Sequence, residues 1–223
     1  MKLWTWGELK GLVKRQHGIE IDTDYDEPEL IEIANRAINK VESKIILLSQ
    51  DYFITSESMA ITSGQSQYDL PDDIYAKKIR LVQVEKDNKT MTLKRIRNLE
   101  EVSKKTGLKY LITNSPTGRK MSLFPTPEDN YQMNIWYTRN ANRLEENLGD
   151  SQIIDIPEYI DAVIAYMAYL IEKKDKSPTT AIAKQDYMEI EKDMIAALAQ
   201  GVDDEDTEIE PDMDFYIDST GGY

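Results

Sequence analysis

The sequence predicts an α+β protein with helices at both ends, an antiparallel β region between them and an extended acidic tail. Two observations carry this prediction: where the spacing of apolar residues changes, and how charge is distributed. Apolar residues recur every three or four positions near both ends of the chain, whereas the middle alternates with a period of two. The formal charge of −14 is uneven along the same divisions. Residues 1–76 carry 14 acids and 7 bases, 77–120 carry 4 and 13, and 121–201 carry 14 and 7. The last 22 residues hold 9 acids and no base.

Thr5 is placed to cap the first helix, and Glu8 three residues on completes a capping box. Trp6, Leu9, Val13 and His17 fall on one face, and Gly18 stops the helix. His17 is the only histidine. Its place in a last helical turn suits an imidazole at the negative end of the dipole, and no cysteine or second histidine shares a metal with it. Asp22, Asp24 and Asp26 then have the spacing that opens a calcium loop. Glu27 stands where that loop needs glycine, and Ile33 where it needs a bidentate acid. The run reads instead as a helix lead-in with Pro28 in the first turn. Leu30, Ala34, Ala37, Val41, Ile45 and Leu48 form the packing stripe of that helix.

After Asp51 the pattern becomes β-like, with runs at 52–55 and 58–62, a Ser63-Gly64-Gln65 turn and then YDLPDD. Residues 79–84 and 90–93 read as a hairpin, and a short helix is expected over 98–105, capped by Asn98 and stopped by Gly107. Strands at 110–113, 121–124 and 131–138 complete a set of about six in an antiparallel sheet or small sandwich. The last two read as a hairpin across the turn at 125–130. From Ile156 the chain is helical again. Ile160, Val163, Ile164, Met167, Leu170 and Ile171, with three tyrosines, go almost round the first of these helices, so it is expected to be buried on most sides. Ser177-Pro178 opens the last helix, Ala183, Tyr187, Ile190, Met194 and Leu198 form its stripe, and Gly201 ends it.

No phosphate-binding loop, dinucleotide fingerprint or nucleophile elbow is present. Acid pairs such as Asp72-Asp73 and Glu145-Glu146 mean little among 41 acids, and adjacent side chains point different ways. The sequence therefore predicts no enzyme, no cofactor and no metal. No apolar run approaches the roughly 18 residues of a membrane span, and the N-terminus lacks a signal peptide, which predicts a soluble protein made inside the cell.

Two segments point to interactions. Residues 77–120 concentrate Lys77, Lys78, Arg80, Lys94, Arg95, Arg97, Lys104 and Lys105, with Arg119 and Lys120 at the end. They suit either the acids of a neighbouring copy or a nucleic-acid backbone, the second being opposed by the acidic whole. The tail has too much like charge to fold alone, yet Met213, Phe215, Tyr216, Ile217 and Tyr223 are apolar residues that suit ordering on a partner.

Three stretches in order resemble one family. YDLPDDI at 68–74 is similar to its Tyr-x-Leu-Pro-x-Asp element, SPTGRKMSLFPTPEDNYQMNIWY at 115–137 to its strand–Pro-x-Pro–strand unit, and IPEYIDAVIAYMAYLIEKKDK at 156–176 to its Pro-x-Tyr-x-Asp helix. The family is that of the head-to-tail adaptors of short-tailed bacteriophages, of the tail-tubular-A type. The resemblance implies a helical bundle from residues 1–51 and 141–201, an inserted β domain over 52–140 and an extended tail over 202–223. It implies a structural virion protein at the head–tail junction, with no membrane. Such a subunit forms a ring, usually a dodecamer, between portal and tail nozzle, and lets genomic DNA pass without sequence-specific binding. The tail residues named above would contact the portal, and the basic residues an adjacent subunit. The alternatives are another virion ring, a head-completion or stopper protein, and a nucleic-acid-binding β module using 77–120.

Overall fold

The computed structural model describes residues 2–17, 25–49, 51–86, 89–100, 107–116 and 118–203. A two-residue strand β1 (Trp4–Thr5) leads into α1 (Trp6–His17), and α2 (Glu27–Leu48) follows. The capping box forms as expected: Thr5 N–H donates to Glu8 Oε2 at 3.0 Å and Glu8 N–H to Thr5 Oγ1 at 3.3 Å. The bond from Thr5 N–H foremost, and Lys2 nearby, hold the Glu8 carboxyl below its usual range. Asp26 caps α2, its Oδ1 accepting from Glu29 N–H at 3.0 Å, with Pro28 in the first turn. The α2 face is wider than one stripe, since Ile31, Ile33, Ile38, Ile46 and the charged Glu42 are buried with it. The side chain of His17, and Asp22 and Asp24, lie outside what is described.

The β region contains two four-stranded sheets. Its strands are β2 (Ile54–Ile61), β3 (Gln67–Asp69), β4 (Ile74–Lys86), β5 (Lys89–Thr92), β6 (Lys94–Arg95), β7 (Lys109–Ser115), β8 (Gly118–Phe124) and β9 (Tyr131–Arg139). One sheet has the order β2-β9-β4-β5 and the other β3-β8-β7-β6. Residues of both sheets share one apolar cluster: Ile61, Val82, Val84, Met133 and Ile135 from the first, and Tyr68, Tyr110, Met121 and Leu123 from the second. The expected hairpin of residues 79–84 with 90–93 is present, Val84 standing opposite Met91.

Three expectations are corrected. The runs at 52–55 and 58–62 are one strand, paired with β9 over its full length. The strands at 121–124 and 131–138 form no hairpin, because β8 and β9 lie in different sheets. The backbone of β9 is paired on both sides, by β2 and β4, so no edge remains for β8. The crossing loop is instead held by the other crossing loop: Gly64 N–H donates to Pro127 C=O at 2.8 Å and Ser63 Oγ to Glu128 C=O at 2.6 Å. The region is also not wholly antiparallel, since β6 pairs with β7 in parallel. The helix expected over 98–105 lies for the most part outside the described residues.

The Tyr-Asp-Leu-Pro-Asp-Asp element joins these sheets. The Tyr68 hydroxyl accepts from Thr62 N–H at 3.1 Å and donates to Gln65 C=O at 2.9 Å, closing the turn between β2 and β3. Tyr68→Phe is expected to destabilise the protein by about 1–2 kcal/mol, measured by denaturant unfolding, because the Thr62 N–H loses its partner in a half-buried place. Farther along, Asp73 accepts from the Tyr137 hydroxyl at 2.9 Å, and its carbonyl receives both Asn140 N–H at 2.6 Å and Asn140 Nδ2 at 2.8 Å. Burial first, and then the Asp73 carboxylate, hold the Tyr137 phenol well above its ordinary range.

The return from strands to helices is irregular in backbone and tied by side chains. Asn35 pairs with Leu144 in both directions, Nδ2 to C=O and N–H to Oδ1, each at 2.9 Å. The buried Glu42 accepts from Ala141 N–H and from the Arg143 guanidinium, which also reaches Asn39. Asn35, Asn39 and Glu42 are spaced to share one helical face. Arg139 pairs with Asp155, which also accepts from Asn142 N–H at 3.1 Å.

A short strand β10 (Ile153–Ile154) then pairs with β1, and a 3-10 turn over Pro157–Tyr159 opens α3 (Ile160–Lys174). As expected, α3 is buried on most sides. It packs against α1, α2 and α4 (Thr180–Asp203) around a second apolar cluster. The last helix begins three residues after Ser177, which instead shapes the turn before it: Thr180 Oγ1 donates to Ser177 C=O at 2.7 Å. It also runs two residues past Gly201.

Candidate interaction surfaces

Among the described residues no group of three or more His, Cys, Asp or Glu is placed to hold a metal. None of the helices is long and apolar enough to cross a membrane, again among the described residues. The surface carries, among other features, a groove, two basic sets and strand edges.

The groove lies between α3 and α4 and encloses about 650 Å³. Its floor is small and apolar, built from Ala162, Ala165 and Ala197 with Ile190 and Met194. Glu158 and Asp161 on one side and Asp186 and Asp193 on the other form its rim. The pattern arises from spacing: Asp186, Ile190, Asp193 and Ala197 follow one another by four, three and four residues, so α4 presents them as a stripe. All four carboxylates are exposed. Glu158 is hydrogen-bonded to the Tyr52 hydroxyl, and burial first and then this carboxylate hold that phenol well above its usual range. Asp161, Asp186 and Asp193 make no ion pair among the described residues. On the neighbouring face of α4, Glu191 is by contrast half-buried beside Lys40 and Lys44 and accepts from Tyr187 at 2.8 Å.

The basic segment divides in two. Lys77, Lys78 and Arg80 stand on β4, which is irregular there, with left-handed φ of 43° at Ala76 and 63° at Lys77. Lys78 reaches the Ile46 carbonyl at 3.5 Å and Arg80 pairs with Asp51 at 2.9 Å, so both help to seat β4 against the end of α2. Arg119 and Lys120 are likewise engaged, with the Ile74 carbonyl and with Asp69 at 3.0 Å. Lys94 and Arg95 form β6, an edge strand, and Arg97 follows it. All three are exposed, and among the described residues no ion pair satisfies them. Near them Tyr110 is held above its usual range by burial, with Arg95 acting the other way. A shallow cleft of about 240 Å³ opens beside this edge, lined by Met91, Thr92, Leu93, Lys94 and Gly107 to Lys109. Lys104, Lys105, Met213, Phe215, Tyr216, Ile217 and Tyr223 lie outside the described residues.

Sequence reading missed the acid-rimmed groove. The signal was present as the repeat of Asp186 and Asp193 seven residues apart, but on a strongly acidic chain it is lost among other solvated acids.

No curated protein matches the chain. A family model described as SU10 adaptor protein matches residues 4–211, from the first strand through both helical regions and the β region. The chain therefore belongs to the SU10 adaptor protein family, a family of head-to-tail adaptors with a structural role in the virion.

Proposed function

We propose that this adaptor is the subunit of a ring at the head–tail junction, a dodecamer, set between the portal and the tail nozzle. The helices form the bundle that carries the ring, and the β region over 52–140 is an insertion into it. Genomic DNA passes through the ring without sequence-specific contact, because a net charge of −14 on each subunit repels phosphate. The acidic tail anchors the subunit to the portal through Met213, Phe215, Tyr216, Ile217 and Tyr223. The observation that carries the reading is the family match, which spans the helical ends and the β region together and runs into the tail.

The test is mass photometry of a portal ring with and without the purified chain. A portal peak shifted by many subunits is expected. Deleting 204–223 leaves α4 whole to Asp203 and is expected to abolish that shift while thermal stability is retained. A truncated chain that binds with full affinity would show that the tail is not the anchor. An intact chain that leaves the portal unshifted yet shifts a stopper or head-completion ring belongs to a different ring. One that retains labelled DNA with a steep salt dependence is instead a nucleic-acid-binding module.

A further inference from the structure

We propose that the β6 edge of one subunit docks in the acid-rimmed groove between α3 and α4 of the next. This names the interface of the ring and rests on the ring reading above. The two surfaces are complementary. The groove offers three carboxylates without a cation of their own among the described residues, Asp161, Asp186 and Asp193, around a floor of alanines. The edge offers three exposed cations without a carboxylate among the described residues, Lys94, Arg95 and Arg97. Among the described residues neither set makes an ion pair, and the two do not pair with each other inside one subunit.

The apolar parts match too. Met91 and Leu99 flank the cationic run and are 49% and 64% exposed. A methionine is unbranched and adapts to a shallow floor, and the small side chains of Ala162, Ala165 and Ala197 leave room for it. Two different surfaces meeting head to tail make a heterologous contact, which closes into a ring when the rotation between copies permits. A groove that recognised DNA is excluded by its sign, so the alternative occupant to test concerns the basic edge alone.

Two exposed charge reversals test it without touching either core. Lys94→Glu with Arg95→Glu reverses the edge, and Asp186→Lys with Asp193→Lys reverses the groove. In portal loading, each reversal by itself is expected to raise the half-loading concentration at least about tenfold, since like charges then face each other. Combining both reversals in one chain is expected to restore loading. Reversed chains that load like the unaltered protein would overturn this interface and leave the adaptor reading intact.

A second measurement needs no portal. The chain has no cysteine, so Arg95→Cys in one preparation and Asp193→Cys in another report only on each other. A short bis-maleimide is expected to give a linked dimer in the mixture and far less in either preparation alone. That product, from a chain that never loads the portal, would keep the interface and remove the adaptor assignment. Absence of the mixed dimer overturns the interface. So does a basic edge that retains labelled DNA and loses it on reversal, because the edge would then serve a different partner.

Discussion

Trp6→Ala is expected to lower stability by about 3–5 kcal/mol, the usual cost of removing a large buried aromatic side chain. Trp6 is fully buried in the helical core, beside Leu9 and Val13. Its indole N–H donates to Glu27 at the start of α2, and its backbone N–H to Gln152 C=O at 2.8 Å before β10. Lys10 stands 5.2 Å from the ring centre and holds Glu27 at 3.1 Å while pairing with Asp150. Burial disfavours that ammonium, but the two carboxylates outweigh it and raise Lys10 above its ordinary range. The Trp6 side chain thus joins α1 to α2, while its backbone N–H and Lys10 reach the approach to α3. A chain of this size loses roughly 2–4 °C of Tm per kcal/mol, so thermal unfolding reads the effect directly. Trp6→Phe keeps most of the volume and is expected to lose less. If Trp6→Ala melted with the unaltered protein, the core assigned to α1 would be wrong.

The second large effect is at Glu42, whose side chain is 2% exposed. Glu42→Ala removes the acceptor of Ala141 N–H and leaves the Arg143 guanidinium without its carboxylate. Removing one partner of a fully buried pair costs about 3–5 kcal/mol. Arg143 is 31% exposed and water screens part of the loss, so about 2–3 kcal/mol is expected. The double variant Glu42→Ala with Arg143→Ala is expected to lose much less than the sum of the two single ones, because each single change already breaks the pair. Additive losses would mean that the pair contributes nothing.

The helical elements were legible because their signals are local. The Thr5/Glu8 box, the lead-in with Pro28 in the first turn of α2 and the apolar spacing of α2 and α3 each act within a few residues, and each forms as read. Glu42 was not legible. A glutamate inside an amphipathic helix reads as solvated, and only the arrival of Ala141 and Arg143 from a hundred residues away accounts for its burial. The strands show the same limit. Alternation in 121–124 and 131–138 identified both correctly, yet the loop between them was read as a turn within one sheet.

What the sequence by itself determined about this protein is therefore the type and order of its main helices and longer strands. Helix caps, the three- and four-residue spacing of α1 to α4 and the two-residue alternation of β9 depend on backbone geometry that each segment carries with it. Even the family follows from that order, since the Leu-Pro-Asp-Asp element and the α3 stretch are short local patterns. Beyond the β4–β5 hairpin, tertiary structure alone decided which strand lies beside which. The pairing of β9 with both β2 and β4 leaves β8 to the opposite sheet, a competition for hydrogen-bonding edges that no local pattern encodes. It likewise decided which charges are satisfied. Arg80 and Lys78 meet partners on and beyond α2 while Lys94, Arg95 and Arg97 meet none among the described residues, because an ion pair depends on distance in space and these partners are distant in sequence.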